Sequence, residues 1–190
     1  MLDPLTLSAI GAVAITEGIK FLYGQTGELL KRWRERRDAA KDTSIQLNKT
    51  EPADVELPLV FEGQLSAPQI HFDAVERVEE QLRELRKDLS DYADGIELVD
   101  VKDANLLQRV DALRQLLEAV YQQRITFKGE QRPPSGPVVE GSIDVEEVAG
   151  YTAAVRARQI VGGTVRAEAK ARRVEPGGQV IGVDADIIGE

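Results

Sequence analysis

Apolar residues between Asp73 and Gln123 recur at spacings of three and four, whereas after Pro137 they alternate with polar residues and are cut by glycines. This change of period is the strongest constraint on the fold, because 3.6-residue and two-residue repeats bury different kinds of face. The first stretch predicts two helices. In one, roughly 73–93, Val75, Val78, Leu82, Leu85, Leu89 and Tyr92 form a heptad seam. In the other, roughly 103–123, the seam is Leu106, Val110, Leu113, Leu117 and Val120, widened by Leu107, Leu116 and Tyr121. Asp94-Gly95 supplies a turn, so an antiparallel helical hairpin is expected. The wider second stripe asks for a further surface, from the N-terminal helix or from another subunit. Two short β-like runs, Leu57–Glu62 and Arg124–Lys128, each with a phenylalanine two residues before a glycine, bracket the hairpin and could pair with each other.

Gln131 to Pro137 (QRPPSGP) reads as a hinge. Beyond it a ϕ-x-ϕ-x-x-ϕ pattern recurs at Ile143-Val145-Val148, Val155-Ala157-Ile160, Ala169-Ala171-Val174 and Val183-Ala185-Ile188. The starts are separated by 12, 14 and 14 residues, and each copy is followed within three residues by glycine. Val, Ile and Ala at the inward positions suit a narrow interior, while Arg156, Arg158, Arg166, Glu168, Lys170 and Arg172 alternate outward. Short strands with glycine corners predict a β-solenoid or a small antiparallel meander.

In the stretch VRARQIVGGTVRAEAKARRVEPGGQVIGV, Val155 to Val183, the chain resembles the bactofilins, polymerising bacterial scaffold proteins with a narrow β-helix. The resemblance covers the last quarter of the chain and implies a self-associating β module.

At the other end, Pro4 to Thr16 contains no charge, and Asp3-Pro4 is a good helix start. Leu5, Leu7, Ile10, Val13, Ile15, Ile19 and Leu22 point in many directions around a helical wheel, so this helix is expected to be apolar nearly all round and to want burial in protein or lipid. Small residues at four-residue spacing, Ser8/Ala12 and Ala14/Gly18, would allow close helix–helix approach. The uncharged stretch rises about 20 Å, short of the roughly 30 Å of a bilayer core, and reaching Tyr23 would immerse Glu17 and Lys20. A secretory leader is a poor fit, since Asp3 stands where basic residues belong. The run Lys31, Arg32, Trp33, Arg34, Glu35, Arg36, Arg37 then joins five bases to an interfacial tryptophan. Such a cluster suits either an anionic membrane surface or a solvated helix face with Trp33 covering the core. Lys31, Arg32, Trp33, Arg34, Arg36 and Arg37 are the candidate membrane- or partner-contact residues.

The charge is unevenly divided: residues 1–50 hold 8 bases against 6 acids, 51–130 hold 9 against 18, and 131–190 hold 7 against 9. The acidic middle repels nucleic acid, and aromatics at 5% give little surface for stacking bases, so nucleic acid is an unlikely partner. With no cysteine and the single histidine His71, thiolate chemistry is excluded and imidazole chemistry has one candidate, with no nucleophile near it in sequence. Asp88, Asp91 and Asp94 lack the alternate spacing of a calcium loop. Asp184 with Asp186, and Glu146 with Glu147, read as solvated surface pairs, and no Walker or dinucleotide motif is present. No catalytic residue, metal ligand or cofactor is therefore expected.

The sequence thus predicts an α+β protein: an apolar helix with a basic end (1–40), a linker (41–56), an acidic helical hairpin with flanking strands (57–130), a hinge (131–137) and a glycine-punctuated β module (138–190). The expected function is a non-enzymatic, cytoplasmic, self-associating scaffold of a bacterial-type complex, with homo-oligomers its principal partners. The alternative is a membrane-active or membrane-docking protein, peripheral at the membrane, whose first helix inserts.

Overall fold

The computed structural model describes residues 7, 10–42, 50–161 and 164–189, and divides into two compact units, Met1–Ser135 and Gly136–Glu190. It is mixed α+β.

In the first unit, α1 (Ala12–Asp42) is followed by β1 (Thr50–Pro52), β2 (Phe61–Glu62), β3 (Gln69–His71), α2 (Phe72–Asp88), α3 (Ser90–Ala93), α4 (Ala104–Tyr121), β4 (Gln123–Arg124) and β5 (Thr126–Phe127). The hairpin has the expected seams. Val75, Leu82 and Leu89 on one side, and Leu106, Val110, Leu113, Leu117 and Val120 on the other, are buried in one core. Asp103 caps α4, its carboxylate accepting from the N–H groups of Asn105 and Leu106. The surface that the wider α4 stripe asked for comes from the same chain: α1 lays Ile15, Ile19, Leu22 and Leu29 into this core.

That arrangement corrects the expectation of an all-round apolar helix. α1 is apolar on one side only: Ile15 and Ile19 are buried, but Val13 is 78% exposed and Glu17 pairs with Lys20 in solvent at 3.0 Å. The described helix begins at Ala12 and continues to Asp42; Asp3, Pro4, Leu5 and Ser8 lie outside the described residues. The small-residue site at Gly18 receives an aromatic ring rather than a helix, since a Cβ there would collide with Phe127. The phenylalanines of the two short runs meet where those runs pair. β2 and β5 are antiparallel with Phe61 opposite Phe127, their rings 4.6 Å apart, and the Phe21 ring of α1 lies 5.1 Å from Phe61, tilted by 57°. Within the stretch expected as linker, β1 pairs antiparallel with β3, and Ala53 and Val55 rest on the core.

Residues 130–135 are stitched to the first unit by polar groups the sequence did not single out. Arg114, 1% exposed, donates to both carboxylate oxygens of Glu130 at 2.7 and 2.6 Å and also bonds Asp111. Glu130 in turn accepts from the Phe127 N–H at 2.7 Å. Burial works against the Arg114 charge, but Glu130, Asp111 and Glu118 outweigh it and hold its pKa above the usual arginine value. Glu118 takes the Arg132 guanidinium at 2.9 Å and the Ile125 N–H at 2.8 Å, and its burial raises its pKa despite those partners.

The second unit contains β6 (Gly136–Val148), β7 (Tyr151–Val161), β8 (Thr164–Val174) and β9 (Gln179–Gly189). β6 pairs with β8 and β7 with β9, both in parallel, so each strand pairs with the next but one. The antiparallel-meander alternative therefore has no ladder among the described residues. The registers Val138↔Thr164 and Tyr151↔Gln179 are offsets of 26 and 28 residues, about twice the sequence repeat. A bend at Ala149-Gly150 and a tight turn at Glu175–Gly178 separate the strands, and they are tied together by the Glu175 N–H to the Val148 carbonyl at 2.9 Å and the Gln179 N–H to the Gly150 carbonyl at 2.8 Å. β6 lies close on β7: a Cβ at Gly141 would strike the Ala154 carbonyl and come within 2.6 Å of Val155.

Candidate interaction surfaces

The basic cluster at the end of α1 does not act as one patch, because a helix sends consecutive residues to different sides. The Trp33 indole N–H donates to Glu79 of α2 at 2.7 Å, and its ring stacks 6.1 Å from Phe72. Arg36 lies 4.3 Å over that same Phe72 ring, and Arg37 reaches Glu79 at 3.5 Å. Arg32 turns the other way, to the Glu51 carboxylate at 3.4 Å and the Pro52 carbonyl at 3.3 Å. Arg32, Trp33, Arg36 and Arg37 thus work inside the first unit. The Trp33 hydrogen bond, followed by Arg83, holds the Glu79 carboxyl below the usual glutamate value, against a smaller opposing effect of burial.

Lys31 and Arg34 lie on a third side. Both are exposed, and neither has an ion-pair partner among the described residues. With Gly27 and Leu30 of α1 and Arg83 and Arg86 of α2 they line a hollow of about 190 Å³ that has no carboxylate in its wall. Its two α2 cations are held in place. Arg83 is fastened to Glu79 by Nε at 3.1 Å and Nη2 at 2.8 Å. Arg86 donates to the Tyr23 carbonyl at 3.3 Å and lies 4.0 Å over the Tyr23 ring. Sequence reading missed Arg83 and Arg86. They sit three apart beside the α2 seam, but nothing local says which cations of another helix they will face.

The second surface is the free edge of the β unit. β8 and β9 each end a sheet, leaving one side of 11 residues without a strand partner among the described residues. Interior cover is incomplete: Ile143, Val145, Ala169, Ala171, Val183 and Ala185 are only half-buried, and of the described side chains only Val148 and Val155 fall below a tenth exposed. Charges on the outer faces sort by strand. β8 carries Arg166, Lys170, Arg172 and Arg173 against the single acid Glu168, which pairs with Lys170 at 2.7 Å; its bases face Asp144, Glu146 and Glu147 on β6, and Arg172 meets Glu146 at 3.4 Å. β9 carries Asp184 and Asp186, and Asp184 takes the Tyr151 hydroxyl and the Arg156 guanidinium of β7.

The remaining residues noted in the sequence are dispersed. His71 ends β3 and is half-buried. Asp88 meets Arg109 at 3.6 Å, while Asp91 and Asp94 sit in and after α3. Among the described residues no three His, Asp or Glu side chains are grouped so as to hold a metal ion. No described helix is long and apolar enough to cross a membrane. No protein-family model, curated protein or solved structure matches the chain.

Proposed function

We propose that β6–β9 are two coils of a β-solenoid and that the protein is a non-enzymatic, self-associating scaffold whose copies meet at the β8/β9 edge. The observation that carries this reading is the pair of long unpaired edges of opposite net charge, four bases against Glu168 on β8 and two acids with no base on β9. Edge strands normally deter pairing with charges of one kind. Here a two-fold arrangement lays each β8 antiparallel to the other copy's β9, so a basic row meets an acidic row twice in one isologous interface. A β8–β8 contact would oppose like charges and is disfavoured. Added strands would also cover the half-buried interior rows. The texture by which Val155–Val183 resembles the bactofilins fits the same assembly.

Light scattering on the full-length chain tests it. At tens of micromolar and low salt the mass should be at least twice that of one chain, and it should fall as salt screens the charge rows. Asp186→Arg, at an exposed site, should move the protein toward monomer with its circular dichroism unchanged. A strict monomer at those concentrations would remove the proposal.

Membrane insertion of α1 is the competing reading. It would require Ile15, Ile19, Leu22 and Leu29 to leave the protein core, each at about 1.5–3 kcal/mol before any gain from lipid. Peripheral contact through Lys31 and Arg34 needs no such release.

A further inference from the structure

We infer that the hollow between α1 and α2 is a binding site for a phosphate group, with Lys31, Arg34, Arg83 and Arg86 as its cationic wall. Arg83 is already answered by Glu79, but Lys31, Arg34 and Arg86 meet no carboxylate among the described residues, and gathering them around one concavity is unfavourable unless an anion completes the set. Ordinary surface arginines on packed helices find acids, as Arg37 and Arg32 do elsewhere on α1 through Glu79 and Glu51.

The wall is also preorganised. Arg83 and Arg86 are fixed by Glu79 and by the Tyr23 carbonyl and ring, so their order is largely established before a ligand arrives. Guanidinium forks match the paired oxygens of a phosphate, and Lys31 adds a point charge. Gly27 keeps the floor open, since a Cβ there would stand only 3.2 to 3.5 Å from the Arg86 guanidinium. The spacing of Gly27, Leu30, Lys31 and Arg34 places all four on one side of α1. The phosphate is carried either by a small molecule in solution or by a lipid headgroup, and the two sources share the same recognition.

The test uses the full-length protein with two probes at low salt: inorganic phosphate by titration calorimetry, and phosphatidylcholine vesicles containing phosphatidic acid by co-sedimentation. Binding of either probe is expected. The double change Lys31→Gln/Arg34→Gln, at exposed unpaired positions, should weaken it by roughly tenfold or more, as loss of charge-assisted hydrogen bonds implies. Gly27→Leu keeps every charge and fills the hollow, and should weaken it likewise. Arg77→Gln removes a charge from α2 outside the hollow and should leave binding within about twofold. Phosphate binding marks a soluble ligand, and vesicle binding alone marks a lipid headgroup. The inference is overturned if neither probe binds, if Arg77→Gln costs as much as the double change, or if Gly27→Leu leaves binding intact.

Discussion

The Trp33 indole N–H donates to Glu79 in one of the bonds, with those of Arg37 and Arg86, that join α1 to α2. Its effect on Glu79 has a measurable pH consequence. The folded carboxyl titrates below its ordinary value of 4.5. The stabilisation it provides is therefore complete above that value and is lost as pH falls through the lower, folded one. Trp33 is the chain's only tryptophan, so its emission reports this contact without interference. While the far-ultraviolet circular dichroism stays native, the emission should hold steady down to the ordinary glutamate range and shift only below it. Glu79→Gln should abolish that transition. A shift centred at or above the ordinary value would mean that the bond does not hold the carboxylate. None of this was legible locally: Trp33 and Glu79 are 46 positions apart, and the heptad seam gives a helix's buried side but not which acid waits at its rim.

At the scale of elements, the hairpin is held by α4 more than by α2. Leu113 is 0% exposed, whereas Leu85 lies partly open at the rim of the same core. Leu113→Ala should cost about 2–5 kcal/mol in urea unfolding and Leu85→Ala distinctly less; equal costs would place the centre of the core elsewhere. This asymmetry was readable in sequence, because the α4 stripe was the wider one and needed a third partner. The pairing of β2 with β5 was open to sequence as an option, since two short β-like runs bracket the hairpin. The one-sidedness of α1 was not. Its apolar residues scatter around the wheel, and only the positions of α2, α4 and Phe127 decide that Ile15 is covered while Val13 is not. Strand direction was equally hidden. Alternation with a period of two is the same in parallel and antiparallel ladders, and the 12- to 14-residue sequence repeat marks one strand, while the pairing spans two.

At the scale of the whole molecule, the two units bury themselves differently. The first closes its core completely around Leu82, Leu113, Leu117 and Phe127, with the Arg114–Glu130 pair sealed inside it. A buried pair of this kind is strongly destabilising to break even where it adds little net stability. The second unit leaves its interior half-covered and two ladders unfinished, and the proposed assembly is their completion. Amide hydrogen exchange of the full-length protein at about 1 and 100 µM, a range spanning typical self-association constants, tests this most directly. β8 and β9, Thr164–Val174 and Gln179–Gly189, should gain protection at the higher concentration while α2 and α4 do not change. Exchange in β8 and β9 that is the same at both concentrations, with light scattering reporting oligomers, would place the interface elsewhere and contradict it.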